Sequence, residues 1–208
     1  MCWIKSELLS KIKTINNHTL KYWLALLRVP GLGCRTFLKI LDQHCPEEIF
    51  SESEQGLTAL GLKANIVSAI KTFDWGLIES DLNWLAQPNN DVVSLLDPLY
   101  PPQLKETYDP PPLLFVRGNK QLLSRPQIAI VGSRNPSISG RQTAFDFAHN
   151  LACEGFVITS GLALGIDAAS HEGALKATGQ TIAVSGTGLD RIYPAAHKAL
   201  ATEIVTLG

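Results

Sequence analysis

The chain has 208 residues, 45% of them hydrophobic, and a formal net charge of −1. That length and apolar content make a globular protein of one large domain or two small ones, with enough material for a core. A near-neutral balance excludes a global positive field, so any polyanion would have to be held by a local patch.

The opening "MCWIKSELLSKIK" mixes charges into its apolar residues and lacks a small-residue cleavage site. No later stretch approaches the roughly 20 apolar residues of a membrane span, so a cytoplasmic protein without a membrane partner is expected. Cys2, Cys34, Cys45 and Cys153 are scattered, with no Cys-x-x-Cys pair and no clustered histidines. They are expected to be reduced thiols, with neither a disulfide framework nor a metal site.

Apolar residues spaced three and four apart predict helices over 20–29, 34–44, 63–73 and 76–87. Within them "LLRVPGLGCRTFLKIL" (26–41) has the layout of a helix-hairpin-helix, whose Gly31 and Gly33 turn, followed by Arg35, can offer backbone N–H groups to a nucleic-acid phosphate. Before residue 40 the basic residues Lys5, Lys11, Lys13, Lys21, Arg28, Arg35 and Lys39 face only Glu7, whereas five acidic residues follow between 42 and 54. A solvated helical face is as good an account of that run as a second DNA contact. "LTALGLKANIVSAI" (57–70) reads as a weaker second hairpin or an ordinary packing unit.

At Pro88 the texture changes to a proline-rich lead-in, with strands expected over 91–97 and 113–118. The expected organisation is a small all-α domain over 1–87 with helix-hairpin-helix character and an α/β domain over 88–208, with 88–125 as the lead-in of the second.

From 126 onward strand, glycine-bearing turn and helix repeat three times: "QIAIVGSR" into 139–154, "FVITSGLA" into 165–178 and "TIAVSGTGLD" into 195–206. Such alternation predicts a parallel sheet with right-handed crossovers, a Rossmann-like doubly wound α/β fold. Parallel strands joined this way end on one side, so the turns carrying Gly132, Ser133 and Arg134, then Ser160, Gly161, Ala163 and Gly165, then Gly186 and Gly188 should converge where open α/β sheets bind ligands.

Glycine and serine at helix N-termini let N–H groups and hydroxyls approach a phosphate, and Arg134 adds a full charge. Read singly, each turn is explained as well by tight-turn geometry and helix capping; three of them together favour an anion site.

The first turn is not a Gly-x-Gly-x-x-Gly dinucleotide fingerprint, and no Gly-Lys-Ser/Thr follows any strand, so neither NAD nor ATP hydrolysis is expected. Asp167 and His171 lie four apart on one helical face. They could form an acid/base pair, but without a nucleophile beside them the favoured reading is structural, Asp167 at the helix start and His171 packed under the turn.

The segments "YPPQLKETYDPPPLLFVRGN", "IAIVGSRNPSISG", "VITSGLALGIDAASHEGAL" and "TIAVSGTGLDRIYPAAHKAL" together resemble the DprA/Smf family of DNA-processing proteins, across residues 100–200. The helical region resembles that family's N-terminal SAM-like domain. The resemblance implies a non-enzymatic protein, without a cofactor, that binds single-stranded DNA in a basic pocket, dimerises and helps load the recombinase RecA in natural transformation. Ser133, Arg134, Ser160 and Gly161 match positions that the family places near DNA.

Three positions depart from the family pattern: Ser139 replaces an aromatic, Ser170 an alanine and His197 an asparagine. The sequence also stops at "EIVTLG", before the family's Phe-Pro-x-Arg-Asn-Arg segment. The expectation is therefore a shortened chain that lacks part of the pocket and the dimer surface. An alternative reading is a nucleotide-binding enzyme akin to phosphoribohydrolases of the lysine-decarboxylase-like group, although "SGTGLD" lacks their double glycine and glutamate. A purely structural helical scaffold ranks last, since it leaves the glycine turns unexplained.

Overall fold

A computed structural model describes residues 17–208. Cys2, Lys5, Glu7, Lys11 and Lys13 lie outside the described residues. The chain divides into two compact units: one formed by the chain up to Pro88 together with Val92–Leu114, the other by Asn89–Asp91 and Phe115–Gly208.

The first unit contains α1 (Asn17–Arg28), α2 (Cys34–Leu41), α3 (Pro46–Ser51), α4 (Glu54–Ala59), α5 (Ala64–Lys71), a 3-10 turn (Trp75–Ile78) and α6 (Glu79–Leu85). Trp23, Leu24, Leu26, Phe37, Ile49 and Leu57 fill its core, each 1% exposed or less. Arg28 grips Asp81 through two guanidinium nitrogens, at 2.8 and 3.2 Å.

The short helices α3 and α4 are absent from the sequence reading, because six residues are too few for a periodic signal. Their signals are caps instead. Pro46 opens α3 while the Cys45 N–H donates to Glu48, and the Ser53 hydroxyl accepts from the Gly56 N–H at the start of α4.

The lead-in corrects the expected division. Its strands β1 (Asn90–Ser94) and β2 (Leu113–Arg117) pair, with the short α7 (Pro102–Lys105) between them. Leu113 is buried in the helical core, and Val92 and Leu96 pack against it, so apolar burial assigns 92–114 to the first unit rather than to the α/β part.

In the second unit β3 (Gln127–Ala129), β4 (Val157–Ser160) and β5 (Thr181–Ala183) form a parallel sheet in the order β3-β4-β5. The crossovers are α8 (Ile138–Cys153) and α9 (Ile166–Lys176); a 3-10 turn (Ala195–His197) and α10 (Lys198–Leu207) follow β5. This is the expected Rossmann-like α/β architecture. Strands that advance in one direction through right-handed crossovers put α8 and α9 on the same face. Small residues let them pack there closely: Ala148, Ala152 and Ala174 form one cluster with Ile158 of β4.

Gly173 lies at the closest approach, where an added Cβ would overlap the Phe145 carbonyl oxygen and come within 3.1 Å of the Ala148 Cβ. A Gly173→Ala variant must therefore push α9 off α8. We expect it to lose about 1–3 kcal/mol of unfolding free energy, measured by urea denaturation.

Candidate functional site

The three glycine-bearing turns meet at the carboxyl end of the sheet, and backbone contacts lock them together. The Ser133 carbonyl accepts from the Ile166 N–H at 3.1 Å, joining the β3 turn to the start of α9. Gly165, with φ of +82°, faces that carbonyl so closely that a Cβ would overlap it, and a Cβ at Gly132 would meet the Ile166 side chain at 2.8 Å. Glycine is required at 165 twice over, by conformation and by space. The Val184 N–H donates to the Ser160 carbonyl at 2.8 Å, which ties the β5 turn to the β4 turn.

The β4 turn is organised around an internal anion. Asp167, in the first turn of α9 and only 6% exposed, accepts with Oδ2 from the N–H groups of Gly161 and Ala163, each at 3.2 Å. Those are two of the donors that the sequence offers to a phosphate, and the protein's own carboxylate already holds them. Ser160 is also engaged inside: it is 2% exposed and its hydroxyl donates to the Ile130 carbonyl at 2.7 Å. Leu162, at φ of +63°, presents its carbonyl to the Nδ1–H of His197 at 2.9 Å. An asparagine at 197 could donate an amide N–H to the same carbonyl, which gives that departure from the family pattern a chemical reason. Ser170, another departure, is buried and donates its hydroxyl to the Ile166 carbonyl at 2.8 Å.

His171 lies beneath this turn with no exposed surface. The single hydroxyl proton of Thr181 goes to the Ile158 carbonyl at 2.7 Å, so Thr181 Oγ1 accepts the Nδ1–H of His171 at 2.7 Å and fixes its tautomer. Nε2 is then a buried lone pair without a partner among the described residues. Burial drives the His171 pKa down to about 4; the charge of Asp167 opposes that shift and His197 adds to it. The ring is neutral at pH 7.

The outer two turns are open. Ser133 and Arg134 are exposed. The Ser133 Oγ accepts from the Asn135 N–H at 3.1 Å, which leaves its O–H free to donate. Arg141 is paired with Glu172, Arg191 lies against Asp190, and Arg125 bonds Gln180 and the Gly155 carbonyl. Arg134 has no acidic partner among the described residues. In the β5 turn a Cβ at Gly186 would meet nothing within 4 Å, and one at Gly188 would meet only the Asp190 side chain. Arg191 closes that turn by donating its N–H to the Gly188 carbonyl at 3.0 Å. With a side chain 84% exposed, it is a cation at the open turn that sequence reading passed over, although it follows Gly188 by three residues.

In the first unit Gly31, at φ of +80°, and Gly33 form the exposed turn between α1 and α2, and Arg35 lies in the first turn of α2 with its guanidinium 4.5 Å over the ring of Tyr108. Gly61, also at φ of +80°, lies between α4 and α5 at the second hairpin. Among the described residues no group of three or more His, Cys, Asp or Glu side chains could hold a metal ion, and no helix is long and apolar enough to cross a membrane.

A parallel sheet whose strands end in glycine turns against helix N-termini defines a Rossmann-like α/β domain. Within that class, the family model described as DNA recombination-mediator protein A matches residues 91–208. The chain belongs to this DprA/Smf family. It is 41% identical to protein Smf of Escherichia coli over 152 residues, which cover 73% of this chain and 41% of that one. It is 51% identical to the DNA processing protein DprA of Streptococcus pneumoniae over 107 residues, covering 51% of this chain and 38% of its relative. The chain thus spans less than half the length of these two relatives.

Among solved structures, the X-ray structure of Streptococcus pneumoniae DprA superposes with a TM-score of 0.70 at 34% identity, covering 94% of this chain and 66% of the other. DprA of Helicobacter pylori, in a structure described for its single-stranded DNA binding mode, matches with a TM-score of 0.51 at 34% identity, covering 57% and 53%.

A depressed histidine pKa has a definite thermodynamic sign. In the unfolded chain His171 binds a proton near pH 6.5, in the fold only near pH 4, so its contribution is complete above pH 6.5 and is lost as pH falls toward 4. Unfolding free energy measured by urea titration should fall by about 2 kcal/mol from this group between pH 7 and pH 5. His171→Leu should remove that share of the slope.

Proposed function

We propose that this chain binds single-stranded DNA at the carboxyl end of its parallel sheet and acts as a recombination mediator rather than an enzyme. The observation that carries this reading is Arg134, exposed and without an acidic partner among the described residues, beside a Ser133 hydroxyl whose proton is uncommitted. A guanidinium and a hydroxyl donor can hold one phosphate between them. Gly186 and Gly188 supply an open backbone at the β5 turn, and Arg191 supplies a second cation.

Gly132 and Gly165 serve the site by letting the turns approach. Ser160, Gly161, Ala163, Asp167 and His171 build the wall behind it, so their contribution to DNA binding is to shape. Membership of the DprA/Smf family supports the reading, as does the Helicobacter pylori relative described for binding single-stranded DNA. Hand-over of the DNA to RecA in the cytoplasm, and dimerisation of the longer family form, belong to the same proposal through the family resemblance. The nucleotide-enzyme alternative is less well supported, because the N–H groups of the β4 turn that could cradle a nucleotide phosphate are held by Asp167.

Fluorescence anisotropy with labelled oligothymidine at several salt concentrations tests this site. Affinity should fall as salt rises, and Arg134→Ala should weaken binding and reduce the magnitude of the log–log salt slope by about 0.7, the share of one phosphate contact on a single strand. Superimposable curves for wild type and variant would place the phosphate elsewhere.

A further inference from the structure

The helical unit carries an exposed aromatic–cation pair that its own packing does not explain. Tyr108 is 79% exposed, and the Arg35 guanidinium lies 4.5 Å over its ring. A ring so exposed has one face held by the cation and the other open. Its loop is anchored: Tyr100, 3% exposed, donates its hydroxyl to the Pro111 carbonyl at 2.8 Å and closes the segment that presents Tyr108. Burial raises the Tyr100 pKa to about 12, which extends the already neutral phenol's donor form well into the alkaline range.

The surroundings suit a nucleic-acid strand. Arg35 and Lys39, four apart on α2 and both exposed, have no acidic partner among the described residues. Lys39 reaches the second hairpin, its Nζ 3.8 Å from where a Cβ at Gly61 would stand. At the first hairpin a Cβ at Gly33 would meet nothing within 4 Å among the described residues, so backbone can be approached there. Glu106 and Asp109 flank Tyr108 in sequence and offset part of this positive charge. Stacking, rather than phosphate attraction, must then supply most of what this contact contributes.

We infer that the open face of Tyr108, backed by Arg35, is a stacking post for an unpaired base, a second single-stranded DNA contact in the helical unit. The inference rests on the proposal that the chain binds single-stranded DNA, and it adds to that proposal a contact of different chemistry. Aromatic faces accept any base, so the contact carries no sequence preference.

Two measurements on the full 208-residue chain test it: anisotropy with oligothymidine across salt, and photo-cross-linking of 5-iodouracil-substituted oligothymidine followed by mass spectrometry. Tyr108→Ala should weaken binding about tenfold while leaving the salt slope unchanged, and Tyr108→Phe should retain wild-type affinity. The cross-link should map to Tyr108. Its exposure means that both variants should melt with the wild type, so lost affinity reports the contact. Wild-type affinity in Tyr108→Ala, with cross-links elsewhere and a normal Arg134→Ala effect, would overturn the stacking post and leave the sheet site standing. A Tyr108 cross-link with no effect of Arg134→Ala would do the reverse, and absence of oligothymidine binding by the wild type would overturn both.

Discussion

The carboxylate of Asp167 sets what the sheet end can offer. A strand that stops before a helix leaves N–H groups pointing at the space where a ligand would sit, and those groups need an acceptor. Asp167 supplies one from within α9, bonding Gly161 and Ala163 together. The middle turn is thereby closed and self-neutralised. On the proposed reading an incoming anion would meet the flanking turns instead, where Ser133 and Arg134 lie on one side and Gly186 with Arg191 on the other.

Much of the rest follows from holding that carboxylate in place. Gly165 lets α9 begin against the Ser133 carbonyl, and Ser160 bonds the Ile130 carbonyl under the first turn. His197 caps the Leu162 carbonyl, while His171 fills the space beneath as a neutral ring bonded to Thr181. These residues would be costly to change for structural reasons alone. A strong motif such as "SGLALGIDAASH" therefore records an architecture.

The sequence made the sheet, its three turns and their convergence legible, because apolar strands followed by glycine and serine have few other readings. It could not separate donors that face solvent from donors already bonded. Whether the Ser160 hydroxyl points outward or to Ile130 depends on strand register, and whether Asp167 helps α9 only through its dipole or reaches back to Gly161 and Ala163 depends on loop geometry. The lead-in is hard to place from sequence for a related reason: its prolines announce a change of texture, but Val92, Leu96 and Leu113 complete the helical core through contacts distant in sequence. Tyr108 lies in the family-like segment "YPPQLKETYDPPP", but its exposure and the arginine stacked on its ring are visible only in three dimensions.

The division of the sheet end into closed and open turns is open to direct observation. In an amide nitrogen–proton correlation spectrum of the labelled protein, titrated with oligothymidine, the resonances of Ser133, Arg134, Gly186 and Gly188 should shift in a saturable way. Those of Gly161 and Ala163, held by Asp167, should move little. The largest shifts at Gly161 and Ala163, with Ser133 and Gly186 unmoved, would contradict the account, because DNA would then be displacing the carboxylate that organises the site.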